Sequence, residues 1–265
     1  MKRGVLAVSF GTTHDDTREK TIDKLEQEAG HYFQAPVYRA WTSSIIRRIL
    51  KERGIRDIGE AMEQAKKDGI EELVVLNNLV IDGFENARLK RTLEDLGDQF
   101  ACCRLGSPLL TRPEDYERVT KGFHRTYPFA PGRAVLLMGH GSQSPANASY
   151  EKLREYFIQQ QRGDFFIACV EGYPYLEDIL PALKDYERVL LLPLMMVAGD
   201  HAKNDMIGEE NSYRTRLAQA GLGVEYALKG LGEYDFIRQL VLEHAALAQR
   251  IVLKESRTGW SIKQS

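Results

Sequence analysis

The chain has 265 residues, with 36 Lys+Arg against 38 Asp+Glu and a formal net charge of −2. Hydrophobic residues make up 43% and charged residues 28%, which suits one large globular domain or two modest ones with a substantial core. The charge balance argues against a nucleic-acid binder driven by phosphate contacts, and the longest apolar run, Val189–Ala198 broken by Pro193, is too short to span a bilayer.

From the N-terminus, Met1-Lys2-Arg3 leads into the apolar Gly4–Phe10, followed by the polar His14-Asp15-Asp16 without a small-residue cleavage pattern. This reads as a first strand rather than a leader, and the expectation is a cytoplasmic protein. Further strands are predicted at Pro36–Trp41, Glu72–Asn77 and Ala101–Leu105, with helices at Asp15–Ala29, Ser43–Glu52, Ile58–Lys67 and Glu85–Leu96 between them. A junction at Gly106–Gly132 gathers Pro108, Pro113, Pro128 and Pro131 around one helix. Strands then follow at Ala134–Met138, Phe165–Val170, Val189–Leu194 and Val224–Tyr226, with helices at Asn147–Gln160, Tyr175–Lys184, Asn204–Ala220 and Tyr234–Ile251.

Short β-branched runs alternating with helical segments are the signature of βαβ units on a parallel sheet covered on both faces. The two halves share punctuation: Ser9-Phe10-Gly11-Thr12 closes the first strand of one, and Met138-Gly139-His140-Gly141 closes that of the other. The fold class expected is α/β, with two similar domains (residues 1–128 and 129–265), each a four-stranded parallel sheet flanked by helices, and a cleft between them. The last helix has the option of packing back on the first domain. Cys102, Cys103 and Cys169 lie in or beside apolar segments with no C-x-x-C spacing, so they read as small core residues.

Ligands of such folds bind beyond the carboxyl ends of the strands. Three residues there carry metal chemistry: His140 after the first strand of the second half, Glu171 after the second, and His201 past the third. Two imidazoles and a carboxylate suit a borderline divalent ion such as Co, Ni, Fe or Zn, and Asp200 or Asp205 is placed to take the second ring proton of His201. Blander roles stand beside these: a turn histidine between glycines, a solvated loop carboxylate, and a helix-start histidine with Asp200 as cap. His14 and Glu85 also sit at strand ends and form a second tier. No G-x-G-x-x-G follows the first strand and no G-x-x-x-x-G-K-[ST] occurs, which disfavours a nucleotide-dependent enzyme.

Val8-Ser9-Phe10-Gly11-Thr12, Arg39-Ala40-Trp41-Thr42-Ser43, Met138-Gly139-His140-Gly141, Val170-Glu171-Gly172-Tyr173-Pro174 and Leu192–Met206 together resemble the anaerobic (class II) cobalt chelatases of cobalamin biosynthesis, single-chain relatives of ferrochelatase. The likeness spans roughly residues 4–250, and Leu192–Met206 is its most specific piece. The resemblance implies two four-stranded α/β domains and insertion of Co2+ into sirohydrochlorin with release of two protons. It also implies a metal set of His140, Glu171 and His201, with His140 as proton acceptor, a role suited to imidazole's ordinary pKa of ~6.5. Co2+ enters as substrate, and no organic cofactor is expected. The partners are then sirohydrochlorin and Co2+, without nucleic acid or membrane, and with self-association left open. For a ring bearing eight carboxylates, Ser9, Thr12, Ser43 and Ser142 are donor candidates. Arg39, Arg88 and Lys203 are charge candidates, and Phe10, Trp41, Met195 and Met196 are candidates for the ring face. A sibling chelatase for Fe2+ or Ni2+, or a carrier without turnover, is the alternative. The tail Val252–Ser265 matches no motif.

Overall fold

The computed structural model describes residues 1–250; the tail Val252–Ser265 and the predicted end of the last helix at Ile251 lie outside the described residues. In chain order the first half runs β1 (Arg3–Ser9), α1 (Asp15–Arg18), a π-helical turn (Glu19–Asp23), α2 (Lys24–Phe33), β2 (Val37–Trp41), α3 (Ser44–Ile49), α4 (Ile58–Lys67), β3 (Glu72–Asn77), α5 (Phe84–Leu96), β4 (Cys102–Leu105) and α6 (Pro113–Thr126). The second runs β5 (Arg133–Gly139), α7 (Ala148–Gln159), β6 (Phe165–Cys169), α8 (Leu176–Leu183), β7 (Arg188–Leu194), a π-helical turn (Ala202–Met206), α9 (Tyr213–Gln219), β8 (Gly223–Tyr226), α10 (Asp235–Ala246) and β9 (Gln249–Arg250).

Each half has its four parallel strands, in the same spatial order: β2-β1-β3-β4 in one sheet and β6-β5-β7-β8 in the other. The first sheet gains a fifth, two-residue antiparallel edge, because β9 pairs with β4 through Arg104–Arg250 and Leu105–Gln249. Two predicted helices change. The segment expected as one helix over 204–220 is interrupted between Met206 and Tyr213: Asn211 takes φ 52°, and the Ser212 hydroxyl then caps α9 by accepting from the Thr215 N–H at 3.2 Å. The last helix stops at Ala246 and yields to β9.

Strand periodicity explains how the halves join. Along β1, Val5 and Ala7 enter one core while Leu6 and Val8 enter another, and β3 divides Val74 and Leu76 from Leu73 and Val75 in the same way. In the second sheet Val135, Leu137, Ile167, Leu190 and Leu192 enter the core shared with the first, and Leu136, Ala168 and Leu191 face an outer one. Period-two alternation on a sheet covered on both faces therefore splits the molecule into one shared middle core and two outer cores. Helices α2, α6, α7 and α10 contribute Leu25, Phe123, Phe157 and Leu240 to the middle. All three cysteines are buried and free, and burial pushes the Cys103 and Cys169 thiols up to about 12, so neither of these two supplies a thiolate. No helix among the described residues is long and apolar enough to cross a membrane.

Helix α10 packs on elements of the first half. Buried Arg238 donates from Nε to Glu28 of α2 at 2.9 Å. His244 places Nε2 2.8 Å from the Asp115 carboxylate of α6 and Nδ1 3.1 Å from the Ser107 carbonyl. Burial pushes the Asp115 carboxyl up, but hydrogen bonds from His244 and the Arg112 N–H, with the nearby charges of both residues, hold it below its ordinary value. A carboxyl depressed in the folded state adds stability above its unfolded value of ~3.9, and that stability is lost as pH falls through the folded value. His244→Ala should lower stability by about 3 kcal/mol in urea unfolding at pH 7, because it strips a buried carboxylate of its partner. The gap between wild type and Asp115→Asn should narrow as pH is lowered below ~4. A constant gap across that range would show that the pair is not what stabilises the α6–α10 contact.

Candidate functional site

The strand order places the switch point at the carboxyl ends of β1 and β3 in one sheet and of β5 and β7 in the other, where doubly wound sheets bind ligands. Loops from the two sheets meet there. A Cβ on Gly83, just before α5, would lie 3.5 Å from the Ser144 hydroxyl, and one on Gly199 would lie 3.3 Å from the Thr12 hydroxyl. His14 Nε2 stands 2.8 Å from Asp200 Oδ1, and Lys203 Nζ lies 3.5 Å from Asp16 Oδ1. Both contacts join the segment after β1, the loop and the start of α1, to the segment after β7.

The Gly139-His140-Gly141 run exists for a close backbone approach. Glu171 N–H donates to the His140 carbonyl at 2.7 Å and Val170 N–H to that of Gly139 at 3.1 Å, so the loops after β5 and β6 are stitched together. Gly141 has φ +84°, and a Cβ there would sit 2.1 Å from the Glu171 carbonyl oxygen. Only glycine fits both constraints.

Hydrogen bonds assign the tautomer of both site histidines. His140 Nδ1 faces the Gly141 carbonyl at 3.0 Å, and a carbonyl only accepts, so Nδ1 carries a proton and, in the neutral ring, Nε2 presents the lone pair. In His201, Nδ1 faces Asp205 Oδ2 at 2.8 Å with the same consequence. The wide π turn (Ala202–Met206) immediately follows His201 and contains this Asp205. The two rings lie 4.6 Å apart, centroid to centroid, and nearly perpendicular at 86°. Of the two acids considered for His201, Asp205 therefore serves it, and Asp200 is taken by His14 instead.

The third residue is less fixed. Glu171 is held beside His140 by its backbone, while its exposed side chain makes no hydrogen bond or ion pair among the described residues. No three His, Cys, Asp or Glu groups among the described residues are already gathered as a metal site. Glu85, in the first turn of α5, has a buried Oε2 without a hydrogen-bond partner, a carboxylate oxygen left without a donor.

Several candidates for ring contact are occupied elsewhere. Buried Ser9 accepts from Asn78 Nδ2 at 3.0 Å, and buried Thr12 accepts from the His14 N–H at 3.2 Å. Ser43 caps α3 by accepting from Ile46 N–H at 3.3 Å, and Ser142 Oγ bonds to Ser144 Oγ at 3.0 Å. Met195 is half-buried against the outer core of the second sheet. Trp41 is fully buried beneath Gly11, whose φ is +101°. Arg39 bonds Glu26 at 2.9 Å and also pairs with Asp23. Of the apolar first-half candidates, Phe10 is openly presented, 45% exposed, and among the charge candidates Arg88 is exposed. Sequence reasoning had no signal for the cross-half partners of His14 and Lys203, since nothing local marks a pair so distant in the chain.

Gly141→Ala should cost about 2 kcal/mol or more, a loss of several degrees in the unfolding midpoint, and should weaken Co2+ binding measured by calorimetry. An unchanged midpoint with unchanged Co2+ affinity would show that the Glu171 carbonyl yields freely.

The cobalt chelatase family model, CbiK, matches residues 3–249. A sirohydrochlorin cobaltochelatase of Salmonella typhimurium is 33% identical over 97% of this chain and 100% of its own length. Sirohydrochlorin cobaltochelatase CbiKC of Nitratidesulfovibrio vulgaris is 30% identical over 93% of this chain and 90% of its own. Among solved structures, SirB from Bacillus subtilis with Fe3+ superposes with a TM-score of 0.67 at 12% identity, covering 93% of this chain and 95% of that one. CbiX, described as the terminal enzyme of siroheme biosynthesis in denitrifying bacteria, gives 0.54 at 18% identity, covering 93% and 98%. The structural likenesses show the shared two-sheet fold, and the match over nearly its full length places this chain in the CbiK cobalt chelatase family.

Proposed function

We propose that the chain is a sirohydrochlorin cobaltochelatase, a lyase-class metal chelatase that exchanges the two inner N–H protons of the ring for Co2+ as a step of cobalamin biosynthesis in the cytoplasm. The observation that carries this reading is the perpendicular imidazole pair, His140 and His201, at the ends of β5 and β7 with Nδ1 committed in both. Two neutral imidazoles suit a borderline ion such as Co2+, and two ligands leave coordination positions open, so the ion can be passed on rather than trapped. In this reading Nε2 of each ring replaces metal-bound water. The freely turning Glu171 carboxylate swings in to offset the ion's charge. As the metal moves to the ring nitrogens, a pyrrole proton passes to the vacated Nε2 of His140 and the second leaves to water. Phe10 packs on the ring, and Ser142 stands in the loop beside His140 to bond its periphery, with Ser9, Thr12, Ser43 and Met195 shaping the wall behind it.

Incubating the pure protein with excess sirohydrochlorin and Co2+, while following ring absorbance, tests the reading; Fe2+ and Ni2+ run in parallel measure metal choice. Many equivalents of ring should be converted, and stoichiometric uptake without turnover would make the protein a carrier. No phosphate-binding loop is present in the sequence. Turnover should accordingly survive exhaustive dialysis, and activity restored only by ATP would contradict a cofactor-free reaction.

His140→Ala should abolish insertion, by about 10³-fold or more, because it removes both a ligand and the proton acceptor. Glu171→Gln keeps an oxygen ligand and loses only charge, so it should retain measurable turnover. His201→Ala should weaken Co2+ binding with an unchanged unfolding midpoint. Rescue of His140→Ala by raised Co2+ concentration would leave His140 a ligand only.

A further inference from the structure

Two helices beside the loops of the site each carry an uncommon surface. The segment entering α3 is bonded to the loop after β1, with Thr42 N–H donating to Ser9 O at 2.9 Å and Ser43 N–H to Phe10 O at 3.2 Å. Its first turn therefore lies beside exposed Phe10. Ile45 and Ile49, one turn apart, are 60% and 63% exposed. Arg48 and Lys51 are exposed and make no ion pair among the described residues, whereas Arg47 is held by Asp57 and Arg53 by Asp15. Helix α5 begins at Gly83, against Ser144 and so against the loop that carries His140. There Phe84 is 65% exposed, and one turn on Arg88 is exposed and, among the described residues, free of ion pairs.

Exposed apolar side chains grouped at the edge of a site mark a binding surface rather than ordinary surface composition. Here each group is paired with unpartnered cations, on two helices that leave neighbouring strand ends on either side of β1. A ligand complementary to that pattern has a flat apolar body and a rim of carboxylates. An anionic membrane is a poorer match, because α3 has only six residues, too few for an interfacial amphipathic helix. We propose that α3 with the turn after it, and the first two turns of α5, form the recognition lip for a polycarboxylate tetrapyrrole. Ile45, Ile49 and Phe84 cover apolar ring surface, and Arg48, Lys51 and Arg88 pair with peripheral carboxylates. The lip selects highly carboxylated rings over poorly carboxylated ones, and this inference rests on the reading of the chain as a tetrapyrrole chelatase.

The test is ring binding by the full chain without metal, followed by porphyrin fluorescence, so it is independent of turnover. The probes are a porphyrin with eight carboxylates and one with two. Arg48→Glu combined with Lys51→Glu should weaken the eight-carboxylate ring about tenfold at low salt, with the difference shrinking as salt is raised, and should change the two-carboxylate ring by less than about threefold. Arg88→Glu should act in the same direction. Ile45→Ser combined with Ile49→Ser should weaken both rings by a similar factor. Equal affinities of wild type and all variants for both rings would overturn the lip, even in a protein that inserts cobalt. Charge-reversal variants that lose binding to anionic lipid vesicles while keeping ring affinity would also overturn it, in favour of a membrane surface. A protein that shows these ring preferences but no cobalt insertion would keep the lip and lose the catalytic reading.

Discussion

Burial of one face of each sheet in a common core is the constraint on which the rest of the site depends. Val5, Ala7, Val74 and Leu76 from the first sheet share that core with Val135, Leu137, Leu190 and Leu192 from the second, and α10 crosses over to seal it. Separating the halves would expose this surface to water, at a cost that scales with the apolar area involved. The buried contacts of Arg238 with Glu28 and of His244 with Asp115 add direction to what is otherwise a non-directional force. With the sheets locked in this way, the carboxyl ends of β1 and β3 can face those of β5 and β7, and loops from distant parts of the chain meet with tight steric requirements.

Those requirements show in the backbone as much as in the side chains. Gly141 lets the loops after β5 and β6 touch, which holds the backbone of Glu171 against that of His140. The Gly141 carbonyl and the Asp205 carboxylate then decide which nitrogen of each imidazole is free. A site built in this way is half rigid. Its two imidazoles are oriented by hydrogen bonds, while its carboxylate stays in solvent. Such a division suits the proposed role of these three residues, in which a metal ion is taken from water and then given up.

The charged groups divide in a similar manner. Arg39 is bound to Glu26 and Asp23, Arg53 to Asp15, and Lys203 lies near Asp16, so these cations maintain the walls. Arg48, Lys51 and Arg88 make no ion pair among the described residues, which leaves them available for the proposed ring. Formal net charge conceals this distinction: a chain at −2 still offers local groups of exposed cations, because net charge does not report how the charges are distributed.

Much of the architecture was legible in the sequence, because strand alternation and Gly punctuation are local signals. All eight parallel strands are present near their predicted positions, and His140, Glu171 and His201 lie beyond the strands they were expected to follow. Local patterns were less informative where a turn or an edge depends on a distant partner. The break before α9 at Asn211, the end of α10 at Ala246 and the pairing of β9 with β4 are of this kind. The partner of His14, the burial of Trp41 beneath Gly11 and the engagement of Arg39 were equally invisible, since each is set by residues brought near only through packing. The sequence by itself determined the strands, the repeat and the family motifs, because periodicity and spacing act within a few residues. Only the tertiary structure decided which polar side chains remain free for a substrate, because that depends on which charges and hydroxyls the shared core brings within hydrogen-bond reach of one another.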